Sequence, residues 1–148
     1  MNRRLAPFVF LGLAAASSGC LFSRYASGPP YAAQAATPGK ATVNFFRENK
    51  SRYSAIAIMM SIPTSANNCF EMDSGGYYTY VVDPGHLDVL AISATHGTPR
   101  TDFAMDLEAG EVRYVEVEYD DGPKVVEKAA PEASPVIADT KQIAVCRK

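Results

Sequence analysis

The sequence lacks most of the residue patterns that indicate a catalytic, metal or cofactor site. Its 148 residues include no Trp and two His, and no His-Glu-x-x-His or Cys-x-x-Cys spacing of the kind that holds zinc is present. Neither the Gly-x-Ser-x-Gly turn of serine hydrolases nor a Gly-x-x-x-x-Gly-Lys phosphate loop occurs. We therefore predict that the protein is not an enzyme and has no catalytic residues, metal site or cofactor.

An excess of basic residues is also missing. Lys and Arg number 14 against 16 Asp and Glu, and the isoelectric point is near 5.6. This balance argues against electrostatic binding to nucleic acid. After the first twenty residues, no apolar run approaches the roughly 20 residues that a membrane-spanning helix needs. The length suits one domain with one core.

The N-terminus has the pattern of a secretory signal. Arg3 and Arg4 form a positive segment, and Leu5–Ala16 is an apolar run too short to span a bilayer. Removal of residues 1–19 takes away two basic and no acidic residues, so the formal charge falls from −2 to −4.

The end of this signal resembles the lipobox of bacterial lipoproteins. Small residues, Ser18 and Gly19, precede Cys20, although Ser17 stands where the pattern prefers Leu. The resemblance implies that Cys20 carries a thioether-linked diacylglycerol and becomes the mature N-terminus. Leu21 is not the Asp that resembles an inner-membrane retention signal, so we expect an anchor in the outer membrane, facing the periplasm. The alternative is ordinary cleavage after Ala16, or within 32–36, which would release a soluble protein.

The mature chain divides into a spacer and a domain. Residues 20–40 comprise Cys20 and a segment rich in Ala, Pro and Gly without apolar periodicity, which predicts a flexible tether. Residues 41–148 alternate apolar and polar side chains between turn residues, which predicts an all-β fold: a small antiparallel β-sandwich of about 7–9 strands. Pro131 and Pro135 limit any helix near the C-terminus to a single turn.

One stretch of this domain resembles a family. Gly76 through Asp83-Pro84-Gly85-His86 is similar to a group of bacterial lipoproteins built on a domain of unknown function numbered 2846 (DUF2846). The resemblance would cover about residues 40–145. It implies a transthyretin-like or carboxypeptidase-regulatory-like β-sandwich without an assigned activity.

With Cys20 assigned to lipid, two cysteines remain. Cys69 begins a predicted short strand and Cys146 lies near the C-terminus. An oxidising compartment favours a disulfide between them. The alternative is two separate thiols.

Tyrosines are the first candidate for a binding surface. Tyr78 and Tyr80 share one face of a predicted strand and Tyr77 lies on the other. A row of exposed Tyr can bind sugars or peptides by stacking. The alternative is that these rings pack against the core.

Ionisable residues give weaker candidates. His86, Asp88 and His96 could form a surface metal site, although two solvent-facing histidines at strand ends explain the pattern as well. Two carboxylate pairs, Asp102/Asp106 and Glu116/Glu118, have the composition of a glycosidase dyad. Acids alternating along an exposed strand also account for them.

These observations predict a lipid-anchored cell-envelope protein. We expect a non-catalytic binding module, attached to the membrane by lipid on Cys20, with an envelope protein or glycan as partner. The alternative is a structural or stress-related envelope lipoprotein without a defined ligand.

Overall fold

The fold is described from a computed structural model, over residues 26–50, 52–63, 69–94, 99–143 and 146. The lipidation candidate Cys20 and the histidine His96 lie outside these residues. Within them, no helix is long and apolar enough to cross a membrane.

The described residues form nine strands and one helix. In chain order these are β1 Ala41–Phe46, β2 Ile58–Ser61, β3 Cys69–Met72, β4 Gly76–Val82, β5 Gly85–Ser93, β6 Arg100–Leu107, β7 Val112–Tyr119, β8 Pro123–Lys128, α1 Ala130–Ile137 and β9 Lys141–Gln142.

The strands make two packed sheets. The first has the order β8-β7-β1-β4-β9 and the second has the order β3-β2-β5-β6. Apolar side chains of both sheets meet in one buried cluster, which includes Val43, Phe45 and Val115 from the first sheet and Met60 and Val89 from the second. The prediction of a small all-β sandwich is confirmed.

Two pairings differ from the antiparallel arrangement that was predicted. β1 pairs with β7 in parallel, and β4 pairs with β9 in parallel. Parallel neighbours need a long crossover, and the β1–β7 crossover is the whole second sheet together with β4. Alternation along a sequence indicates a strand but does not indicate its neighbour, so these pairings could not be deduced from it.

Strand β1 is buried on both faces, and α1 packs on its outer side at Phe46. Val43 and Phe45 point into the sandwich, whereas Phe46 packs with Tyr77, Ala133 and Ile137 in a second cluster beneath α1. The prediction of a single helical turn is wrong, since α1 has eight residues. Pro131 lies in the first turn, where no backbone N–H is needed. Pro135 lies inside the helix, where burial of the helix's apolar face offsets its cost.

The segment Ala26–Tyr31, called the strap below, contacts the domain although a flexible tether was predicted there. Its backbone amides at Ala26, Gly28 and Tyr31 donate to the carbonyls of Ser74, Gln142 and Thr140. At Gly28 a Cβ atom would lie 2.3 Å from the Gln142 carbonyl oxygen, so the approach requires glycine.

The strap is also held by an aromatic contact. The Tyr31 ring meets Tyr77 edge-on, with centroids 5.1 Å apart. Burial, with a further contribution from a hydrogen bond to Tyr114, raises the pKa of Tyr31 to about 12. Residues 26–31, which lie within the segment predicted as a tether, therefore contact the domain.

Candidate functional site

The two tyrosines predicted as ligand-facing pack against the core. Tyr78 lies opposite Phe45 and Tyr80 opposite Val43 in the β1–β4 register, so both point into the sandwich. The Tyr78 ring stacks on Phe70 with centroids 4.3 Å apart, and burial raises the pKa of Tyr78. This corrects the prediction of a ligand platform and favours the packing alternative. The register of β4 against β1 determines which face of β4 is buried, and alternation along the sequence does not reveal this register.

Cys69 and Cys146 form a disulfide in the structure, with Cα atoms 5.4 Å apart. The Cys146 amide also donates to the Cys69 carbonyl at 2.9 Å. The bond attaches the C-terminal segment, which follows β9, to the edge strand of the second sheet.

His86 lies between two carboxylates on the exposed face of the second sheet. Its Nδ1 is 2.8 Å from Asp106 Oδ1, and its Nε2 is 3.3 Å from Asp88 Oδ1. His96, the third residue of the predicted metal set, lies outside the described residues. Within the part of the chain that is described, no group of three or more His, Cys, Asp or Glu could hold a metal ion.

The His86 arrangement predicts a pH dependence. The hydrogen bond to Asp106, and then the charge of Asp88, raise the pKa of His86 above its ordinary 6.5. The imidazolium therefore stabilises the β5–β6 pairing fully below the ordinary pKa, and this contribution is lost as the pH rises through the folded-state pKa. An NMR titration of the imidazole should give a pKa above 6.5 that falls in Asp106→Asn. Asp102→Asn, whose carboxylate pairs with Arg100, should leave it unchanged, and an equal fall in both variants would contradict the assignment.

A concavity lies at one end of the first sheet, and we call it the end pocket. It encloses about 250 Å³ between the C-terminal half of β7 and the loop that follows β1. Its lining is polar, charged and aromatic, and comprises Arg47, Glu48, Lys50, Arg52, Tyr53, Ser74, Glu116, Val117, Glu118, Tyr119, Asp120 and Lys124.

Arg47 holds the loop that forms one wall of this pocket. The residue is 5% exposed. Its guanidinium donates to the carbonyls of Ile56, Met72 and Tyr53 at 2.5, 3.1 and 2.9 Å. Burial lowers the pKa of Arg47, partly opposed by Asp73. The Arg47 guanidinium therefore stabilises the loop through these hydrogen bonds from the protein interior, and we do not count it among the groups that face a ligand.

Tyr53 is the one non-glycine residue with positive φ among the described residues, at 63°. The left-handed conformation costs an ordinary residue about 1 kcal/mol or more, and non-glycine outliers of this kind cluster at functional sites. Its ring lies 5.4 Å from that of Tyr119, tilted by 60°. The Arg52 guanidinium carbon lies 4.8 Å from the centroid of the same ring.

Charges of both signs surround this aromatic pair. Lys50 pairs with Glu48 at 2.6 Å, Lys124 with Asp120 at 3.2 Å, and Lys128 with Glu116 at 3.2 Å. The hydrogen bond to Glu48 raises the pKa of Lys50. Across the described ranges, Arg52 and Glu118 line the pocket without an ion-pair partner.

The polar side chains of the lining differ in how far they are engaged within the protein. The Ser74 hydroxyl, 1% exposed, donates toward the carbonyls of Glu48 and Lys50 at 3.4 and 3.2 Å. The Ser74 hydroxyl therefore links the β3–β4 turn to the loop that follows β1. Glu116 and Glu118 belong to the pocket wall, where Lys128 pairs with Glu116, so they are not two free acids facing each other. The lining also presents the Tyr119 ring, the Glu118 carboxylate and the Arg52 guanidinium, which lies over the Tyr53 ring and donates to its hydroxyl at 2.8 Å.

Sequence reasoning missed the end pocket as a whole. The sequence predicts Tyr119 as part of a strand. Nothing in the sequence indicates that Tyr53 adopts a left-handed conformation beside it. Glu116 and Glu118 were considered only as a carboxylate pair of the glycosidase type, and not as part of a pocket wall.

Comparison of the chain with protein-family models, with curated proteins and with solved structures finds no match in any of the three. The class that the fold itself defines is a small all-β sandwich. The resemblance to DUF2846 lipoproteins stays a prediction.

Proposed function

We propose that the protein is a lipid-anchored, non-catalytic binding module of the bacterial cell envelope, with the end pocket as its ligand site. Lipid on Cys20 attaches it to the outer membrane on the periplasmic side. Its partner is an envelope protein segment or a glycan that contacts the Tyr53–Tyr119 pair. This is the function that the lipobox-like N-terminus and the geometry of the end pocket together support best.

The observation that carries the binding function is the conformation of Tyr53. An aromatic residue is held at a φ of 63° by Arg47 beneath it, and its ring forms a wall of the pocket with Tyr119. A loop selected only for stability gains from glycine at such a position. The retained tyrosine supplies rigid contact area at low entropic cost, as binding surfaces do.

The compartment is supported by the N-terminus and the cysteines. A positive segment, a short apolar run and small residues before Cys20 have the order of a lipoprotein signal. A disulfide between Cys69 and Cys146 suits an oxidising compartment.

Site-specific photocrosslinking in cells tests this function. A photoreactive phenylalanine analogue at Tyr119 of the full-length protein should give an adduct, and the same analogue at Ala109, in the exposed β6–β7 turn, is the matched control. A product of discrete mass indicates a protein partner, whereas a ladder that a muramidase collapses indicates a glycan. Equal yields at Tyr119 and Ala109 would reject the end pocket as a binding site and favour a structural lipoprotein.

A further inference from the structure

The strap shortens the distance between the membrane anchor and the domain. Within the described residues, contacts of the strap with the domain begin at Ala26, well before β1. Six residue steps separate Cys20 from Ala26, which limits their separation to about 21 Å in any conformation of the chain.

The strap enters the domain at the end that carries the end pocket. The Ala26 amide donates to the carbonyl of Ser74 at 3.2 Å, and Ser74 lines the pocket. The opposite end of the sandwich includes the β6–β7 turn, where the Gly110 amide donates to Lys40. β7 runs from that end to the pocket over seven residue steps, so the two ends lie about 23 Å apart.

The charges around the end pocket are balanced. Glu48, Asp120 and Glu116 are each paired with a lysine, and within the described residues Arg52 and Glu118 have no ion-pair partner, so the unpaired charges are one of each sign. Balanced charge, a guanidinium and tyrosine rings suit a phospholipid head-group layer.

We propose that the pocket end of the sandwich is the surface that meets the lipid bilayer, and that the strap holds it there. The inference rests on the proposed anchor at Cys20. It deepens the proposed function because a ligand of the end pocket must then come within reach of the membrane surface.

Paramagnetic relaxation in lipid nanodiscs tests the orientation. The full lipidated protein is inserted into nanodiscs of phosphatidylethanolamine and phosphatidylglycerol, with a gadolinium chelate on a fraction of the head groups. Amide signals of Lys50, Arg52 and Asp120 should relax at least about tenfold faster than those of Ala109 and Gly110, because paramagnetic relaxation falls steeply with distance and the two ends are about 23 Å apart. Equal relaxation at the two ends, or faster relaxation at the opposite end, would overturn the proposal.

A strap variant supplies the causal control. Gly28→Val places side-chain atoms against the Gln142 carbonyl and should release the strap, after which the two ends should relax equally. Tyr31→Ala, which removes the contact with Tyr77, serves the same purpose if Gly28→Val prevents folding. An unchanged difference between the ends in a folded strap variant would contradict the role of the strap.

Intact-mass spectrometry separates this proposal from the one on which it rests. An unmodified Cys20 would overturn the anchor and the orientation together. A lipidated Cys20 with equal relaxation at both ends would overturn the orientation alone, and the crosslinking result at Tyr119 would stand independently.

Discussion

Replacing Arg47 by methionine should lower the free energy of unfolding by about 3 kcal/mol. The guanidinium donates to three backbone carbonyls, those of Ile56, Met72 and Tyr53, in a site that is almost closed to water. Methionine keeps much of the apolar stem but leaves these carbonyls without their donor. The loss falls on the loop over the end pocket, so Tyr53 should leave its left-handed conformation in the same variant.

Urea unfolding followed by circular dichroism measures this loss. Arg100→Met is the matched control, because Arg100 is exposed and lies 3.7 Å from Asp102 in a surface pair, and it should change stability by less than about 0.5 kcal/mol. Arg47→Lys should recover only part of the loss, since one ammonium group cannot span three carbonyls as a planar fork does. A stability for Arg47→Met equal to that of Arg100→Met would show that the carbonyl cluster is satisfied by other means.

Strands that alternate between a buried and an exposed face, such as β5, could be predicted from the sequence. Leu87, Val89 and Ala91 alternate with exposed or half-buried residues along β5, and the observed burial follows that alternation. The turn at Asp83-Pro84-Gly85 was also predictable, and Gly85 has the positive φ of 135° that a turn glycine supplies. What this turn does not reveal is that it connects strands of different sheets.

The end pocket could not be predicted because it depends on contacts between distant segments. In the sequence, Arg47 is a charged residue that follows a strand, which predicts exposure to solvent. Its burial depends on the backbone carbonyls of residues 53, 56 and 72, which accept its hydrogen bonds. Tyr53 and Tyr119 are separated by 66 positions and meet only when the loop is closed over β7. Local patterns indicate elements, whereas long-range pairing determines which side chains those elements bring together.

The strap shows the same limit in a segment that composition describes as unstructured. Its Ala, Pro and Gly content gives no periodic apolar face. It is ordered by backbone hydrogen bonds to residues 74, 140 and 142 and by one ring contact. Two of these partners belong to the C-terminal part of the chain, which exists as an ordered edge only after the sandwich has formed.

Removing the disulfide between Cys69 and Cys146 should have the largest effect on stability. The two residues are 77 positions apart, and a cross-link over a loop of that length restricts the unfolded chain by about 4.5 kcal/mol in the chain-entropy model. Urea unfolding of Cys69→Ala/Cys146→Ala should therefore have a lower midpoint than the parent protein. The comparison uses a Cys20→Ser background, so that the two sites are the only thiols.

The loss should also appear locally, at the strap. The disulfide holds the chain just after β9, β9 pairs with β4, and Gln142 in turn bonds to Gly28 and Pro29. Without the disulfide, amide exchange at Gly28 and Gln142 should accelerate more than exchange at Val43 in the core. Reductant should reproduce the effect in the parent and leave the double variant unchanged. A parent protein whose unfolding and exchange are both insensitive to reductant would contradict the bond and its coupling to the strap.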